Sequence, residues 1–422
     1  MTRIIPYPAS VSTLSNGLKV ILMPTPGNGL VAYWTIVRTG SGQEYEAGRS
    51  GFAHFFEHMM FRGTQRYPAD VYQRILTRIG ADANAYTTDD LTAYHASLSA
   101  EDLEQVIELE SDRFKHLAYS EEDFKTEAGA VYGEYRKSRT DPLFSLYEKL
   151  MAAAFEIHPY GHTTLGYEAD IAAMPGMYAY SREFFARHYR PDNSIVFVAG
   201  DIDEKEVLRL AEQYYGDWQP GYIAPDVPAE PAQQGERRVS VAYDGRTLPL
   251  LWAAYKLDRF DPENKLYAAA SLLADLAFGP ASEAHKRLVL DEQAVEFLHA
   301  RANRSRDPGL LDVYARIKDP AKIDYVLGVL ESTIERFSGE PPDPERLAAL
   351  KSREKYGFLM SLETPDGTAQ RLARFIALGG GLEGVEKLYS AYEAVTPQDV
   401  RAAAERYLDA ERRTVGVLYS SS

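Results

Sequence analysis

Gly51-Phe52-Ala53-His54-Phe55-Phe56-Glu57-His58-Met59-Met60-Phe61 reads as one helix with a polar corner in an otherwise apolar surround. Histidines four apart lie a turn from each other on one face, and Glu57 lies beside them, so all three side chains can converge. Burying such a triad among Phe55, Phe56, Met59, Met60 and Phe61 is costly without a partner ion. Zinc accepts neutral imidazole nitrogens at roughly 2.0 to 2.1 Å. A hydrolytic zinc takes three protein ligands, keeps a fourth position for water and works with a carboxylate that accepts a proton. His54 and His58 supply two ligands and Glu57 the base. The third ligand comes from elsewhere in the chain.

The best donor is the segment Ser120 to Tyr135, where Ser120 can cap a helix and Glu127 and Glu134, seven apart, share one of its faces. At this point the sequence resembles a known family. Gly51-x-Ala53-His54-Phe55-x-Glu57-His58-Met59-x-Phe61-x-Gly63-Thr64 is similar to the His-x-x-Glu-His signature of the inverzincin peptidases, the pitrilysin and mitochondrial processing peptidase family. Within it, the chain resembles the zinc-bearing, beta-type subunit of the bacterial two-chain members. The resemblance implies that Glu134 completes a site for one zinc ion per chain, and that Glu127 belongs to the catalytic surroundings, orienting a histidine or steadying the empty site.

Composition narrows the function classes. With 45% hydrophobic and 12% aromatic residues the chain can bury large cores. No apolar run reaches the 18 or more residues of a membrane span, and Met1 to Ser10 lacks the apolar core of a signal peptide. Sixty-two acidic against 46 basic residues, a net charge of −16, argue against nucleic acid as a partner. Cysteine is absent, which removes thiolate ligands and nucleophiles and leaves zinc to histidine and carboxylate. That absence suits a periplasmic protein whose signal has been removed, with the cytoplasm as the alternative.

The rest of the chain reads as alternating strands and helices. Asn16-Gly17 is a hairpin signal, Val31 to Val37 a buried strand, and Ala83 to Thr88 with Leu91 to Ala96 an antiparallel pair. Pro220, Pro225, Pro228 and Pro231 mark a linker. Pro175, a helix, Tyr189 and a strand through Val196 recur as Pro397, a helix, Tyr407 and a strand through Val415, the mark of a duplicated unit. The expected fold is therefore α+β. The resemblance makes it two homologous α/β-roll halves, each an antiparallel-rich sheet covered by helices, forming half of a clamshell chamber. The expected boundaries are residues 1–219 for the zinc-binding domain, 220–236 for the linker and 237–422 for the homologous domain. Helices are expected at Leu146 to Phe155, His285 to Asp291, Thr368 to Leu378 and Thr396 to Leu408 in addition to those above, and His158 to His162 is expected to be a structural loop.

The resemblance further implies that Asn84, Ala85 and Tyr86 lie on an edge strand to which an extended peptide substrate adds. It also exposes a gap. Related peptidases carry an arginine and, seven residues on, a tyrosine in the second half, which reach the substrate carbonyl. Val289 and Glu296 stand at those places, and a carboxylate disfavours an oxyanion. The expected function is thus a zinc metalloendopeptidase subunit acting on peptides or unfolded segments with a homologous partner that carries the arginine and tyrosine. A heterodimer is expected, and a homodimer in which Arg287 or Tyr314 serves instead is the variant. The alternative is a non-catalytic peptide-binding or scaffold subunit of the same fold.

Overall fold

The computed structural model describes residues 3–26 and 28–421. The first residues of the Met1 to Ser10 reading, Met1 and Thr2, lie outside the described residues. Eleven strands are found among those described: β1 Ser10–Thr13, β2 Lys19–Pro24, β3 Leu30–Val37, β4 Asp82–Thr87, β5 Thr92–Ser99, β6 Ser194–Gly200, β7 Arg237–Tyr243, β8 Leu250–Leu257, β9 Val295–Ala302, β10 Gly309–Ile317 and β11 Arg413–Ser420. They form a six-stranded sheet in the order β1-β2-β6-β3-β5-β4 and a five-stranded sheet in the order β7-β11-β8-β10-β9.

The duplication expected from the recurring Pro, helix, Tyr, strand pattern is written in this topology. β2 pairs with β6 in parallel and β7 with β11 in parallel, while every other pairing in both sheets is antiparallel. Reading β2-β6-β3-β5-β4 against β7-β11-β8-β10-β9 gives the same order and the same senses, with β1 an addition to the first sheet. The fold is α+β, as expected.

Two compact units surround these sheets. The first comprises the chain up to Tyr135, His162–Val227 and Phe358–Val385, and the second comprises Arg136–Gly161, Pro228–Gly357 and the chain from Glu386 onward. Each unit takes a helix from the other half of the sequence. In the first, the helix Pro365–Gly379 packs on β3 and β6. Arg38 Nε donates to Ala377 O at 2.7 Å, Lys19 Nζ to Gly380 O at 3.0 Å, and Arg374 pairs with the buried Asp90 at 3.2 Å. Basic side chains at that helix C-terminus satisfy its last carbonyls and complement its dipole. In the second, the helix Pro142–Ala154 presses Leu146 and Leu150 into a core with Leu250, Trp252 and Leu418. Gly416 of β11 allows that approach, because a Cβ there would stand 2.9 Å from a Leu146 methyl and 3.0 Å from a Leu150 methyl.

Three elements differ from expectation, one of them the helix Glu168–Ala173, which was not expected. The expected helix over His285 to Asp291 is a short α-turn, Glu283–His285, that widens into a π-helical turn over Lys286–Asp291. A helix at Glu383–Ala394 was not expected at all. Its Gly-rich approach, Gly379-Gly380-Gly381, masks the amphipathic pattern that follows.

Candidate metal centre

The helix Phe52–Met59 starts at Gly51, whose φ of 92° is open to glycine at little cost and whose missing Cβ would meet Leu165 O at 2.6 Å. Glycine brings no capping side chain. The buried Glu44 carboxylate takes that role, accepting the Gly51 N–H at 2.7 Å and the Ala53 N–H at 2.6 Å. Burial pushes the Glu44 carboxyl up to about 8 against those bonds. Nothing local in the sequence points from Glu44 to this helix.

Phe52, Phe55, Phe56 and Met59 fill the core side of the helix, each phenylalanine contributing about 1.5–3 kcal/mol by burial. The Phe55 ring meets Phe124 at 5.0 Å, and Phe56 stacks on Phe184 at 5.5 Å. Phe124 belongs to the helix Glu121–Ser138, which Ser120 and Asp123 cap reciprocally. This ring contact links the two helices, and Glu127 and Glu134 of the second reach the histidines of the first.

His54, His58 and Glu134 form the metal-competent group found among the described residues, with one ligand atom from each lying within 4.8 Å of the others. Glu134 Oε2 is 3.7 Å from His54 Nε2 and 3.3 Å from His58 Nε2. In a tetrahedral site with bonds of 2.0–2.1 Å, ligand atoms stand about 3.3 Å apart, so the donor set and its spacing fit zinc. His54 is 7% exposed and burial, followed by the neighbouring His58, lowers its pKa to about 4, so it stands neutral as a ligand must.

His58 is held from behind. Its Nδ1 lies 3.0 Å from Glu127 Oε1, and Arg62 Nε donates to Glu127 Oε2 at 2.7 Å, with a second guanidinium nitrogen on the same oxygen. Hydrogen bonds to Glu127 and Glu134 raise His58 to about 9 in the metal-free chain, and the bond from His58 lowers Glu127. A carboxylate on Nδ1 fixes the proton there and turns Nε2 toward the metal position. Arg62 escaped the sequence reading, although its place four residues after His58 sets it on the same side of the continuing turn.

Glu57, the expected base, accepts a hydrogen bond from Thr87 Oγ1 at 2.6 Å, and burial raises its pKa against that bond. Thr87 ends β4, the edge strand of the first sheet, which also carries Asn84, Ala85 and Tyr86. Asn84 is exposed, Ala85 is buried, and the Tyr86 ring stands edge-on to Trp34 at 6.1 Å. The Ala85 N–H donates to the neighbouring Asn84 Oδ1 at 2.9 Å.

In the second unit, Val289 sits partly buried in the π-helical turn, and Glu296 is exposed on β9, 3.8 Å from Arg316. Arg287 is engaged locally by Glu292 and Tyr325, and Tyr314 packs against Trp252 at 5.3 Å. In the loop at His158, His158 Nδ1 accepts the Tyr160 N–H at 3.1 Å.

The family model described as Insulinase (Peptidase family M16) matches residues 19–168, and the one described as Peptidase M16 inactive domain matches residues 178–354. The zinc protease PqqE of Helicobacter pylori is 26% identical over 410 residues, covering 96% of this chain and 91% of that protein. The mitochondrial-processing peptidase subunit beta of Lentinula edodes is 24% identical over 416 residues, covering 94% and 87%. The crystal structure of a protease from Helicobacter pylori superposes with a TM-score of 0.91 at 24% identity, covering 98% of this chain and all of that one. Two matches to one family in succession, with zinc proteases similar along nearly the whole length, establish that the chain belongs to the insulinase (M16) family of zinc-protease relatives.

Proposed function

We propose that this chain is the metal-bearing subunit of a zinc endopeptidase that hydrolyses peptides or unfolded segments held in extended form. The observation that carries the reading is the convergence of His54 Nε2, His58 Nε2 and Glu134 Oε2 with Glu57 on the same helical corner. When bound, one zinc per chain supplies Lewis acidity toward water and the scissile carbonyl. His54, His58 and Glu134 hold it, and Glu127 keeps His58 oriented. Glu57 takes a proton from the attacking water on its carboxylate and returns it to the departing amine. Asn84, Ala85 and Tyr86 offer the free edge of β4, where backbone pairing grips a peptide whatever its sequence. The arginine and tyrosine that this chain replaces by Val289 and Glu296 come from a homologous partner subunit, as the two-chain habit of the family suggests. Absence of cysteine suits an oxidising compartment, and we assign the chain to the periplasm, which fractionation of the source cell tests.

The test pairs metal analysis with turnover. Glu57→Gln should keep zinc and lose hydrolysis, whereas His58→Ala or Glu134→Ala should lose both together. Retained turnover in Glu57→Gln would sink the base assignment. A wild-type chain that takes up no zinc would favour the non-catalytic, peptide-holding reading.

A further inference from the structure

We propose that Thr87 is the positioning residue for the Glu57 base, fixing the carboxylate so that one of its oxygens stays available for the proton of water; this rests on the reading of Glu57 given above. Thr87 Oγ1 donates to Glu57 Oε2 at 2.6 Å, the length of a charge-assisted O–H···O bond. Among the described residues it is the side chain that donates to this carboxylate, and the Thr87 backbone N–H faces the same group. The two other hydroxyls near Glu57 are engaged elsewhere, with Tyr94 and Tyr189 bonded to each other at 2.6 Å and Tyr94 donating to Phe56 O.

Thr87 is itself held in place. Strand alternation turns Ala85 and Thr87 toward the metal helix and Asn84 and Tyr86 away from it. The hairpin that follows is closed by the Thr88 N–H to Leu91 O at 2.8 Å, and Thr92, the cross-strand partner of Thr87, donates its hydroxyl to Thr39 O at 3.0 Å. The donor therefore sits on a fixed strand, while its acceptor ends a flexible side chain whose terminal torsion is intrinsically broad. Without the hydroxyl the Glu57 carboxylate keeps only the Thr87 N–H to hold it and turns more freely; with it, Oε2 is pinned to the strand. The residue that orients the base also terminates the strand proposed to pair with substrate.

The experiment uses the zinc-loaded chain, alone and with its partner, as wild type, Thr87→Val and Thr87→Ser. Valine keeps the branched shape and strand propensity and removes only the hydroxyl. Thr87→Val should lower kcat about 10- to 100-fold, the worth of a hydrogen bond to a charged group, with KM and zinc content unchanged. Thr87→Ser should restore it. Isotope-edited infrared spectra, with Glu57→Gln assigning the band, should show the Glu57 carboxylate stretch displaced in Thr87→Val and returned in Thr87→Ser. A kcat unchanged in Thr87→Val, a loss appearing in KM instead, a loss that serine fails to rescue, or an undisplaced band overturns the proposal. If wild type turned over no peptide in either arm, the peptidase reading would fail by itself, and the infrared comparison would still decide whether Thr87 holds Glu57.

Discussion

His58 Nδ1 lies 3.0 Å from Glu127 Oε1 while its Nε2 lies 3.3 Å from Glu134 Oε2, so the two glutamates hold opposite sides of one ring, and in the proposed site Glu127 backs a ligand beside Glu134. Glu127→Ala should therefore weaken zinc about 10- to 100-fold while leaving all three ligands in place. Arg62→Ala should act in the same direction and more weakly, since Arg62 touches the metal site only through Glu127. Competition with a chelator of known affinity measures both. Equal zinc affinity in Glu127→Ala and wild type would detach Glu127 from the site.

The two histidines should differ in how protons compete with zinc. Hydrogen bonds to Glu127 and Glu134 hold His58 up at about 9 in the metal-free chain, while burial holds His54 down at about 4. Loading at neutral pH thus displaces a proton from His58 and none from His54. Zinc affinity should rise about tenfold per pH unit from neutrality toward pH 9 and then level off. The sign for folding is opposite. His58 binds its proton more tightly when folded than at its ordinary 6.5, so its contribution to metal-free stability is fully present below 6.5 and is lost as pH rises through 9. Thermal unfolding of the metal-free chain across this window, beside zinc titrations at each pH, checks both, and a pH-independent affinity would refute the assignment.

Ala85→Pro should raise KM without changing zinc content. Proline removes the Ala85 N–H, whose partner at present is the Asn84 side chain on the free edge of the sheet. A peptide adding to β4 would exchange that local bond for one of its own. Michaelis constants on an unstructured peptide decide the matter, and an unaltered value would remove β4 from substrate binding.

Much of this was legible from residues alone because its signals are local. The spacing of His54, Glu57 and His58, the turn at Asn16-Gly17 and the cap at Ser120 are properties of a few neighbouring residues, and each appears where the spacing put it. The duplicated unit was legible as a repeated order of Pro, helix, Tyr and strand. What stayed hidden depends on distance along the chain. Glu44 caps a helix that begins several residues later through a turn that periodicity does not encode, and Thr87 reaches Glu57 only because β4 returns beside the metal helix. The two helices that pack on the sheet of the other half, Pro142–Ala154 and Pro365–Gly379, have apolar faces that the sequence shows without saying which sheet receives them.

The last prediction concerns Val289 and Glu296, which the proposed reading sets in the places of the family's arginine and tyrosine. Glu296 is exposed and near Arg316, and Val289 lies in a π-helical turn, so neither offers a hydrogen bond to a developing oxyanion. Of the local substitutes, Arg287 is held by Glu292 and Tyr325, and the Tyr314 ring is packed between Trp252 and Phe297 of β8 and β9. The chain alone should therefore bind zinc and turn over peptide slowly. A homologous subunit with the arginine and tyrosine intact should restore the rate by about 10² to 10³, the worth of one oxyanion donor. Replacing the partner's arginine should abolish the rescue without releasing zinc from this chain, since His54, His58 and Glu134 all belong to it. Specific activity on one unstructured peptide, for the chain alone, the partner alone and an equimolar mixture, reads the outcome directly. If the chain alone matches the mixture, the labour is not divided and two copies of this chain, or other groups within it, supply the missing donors.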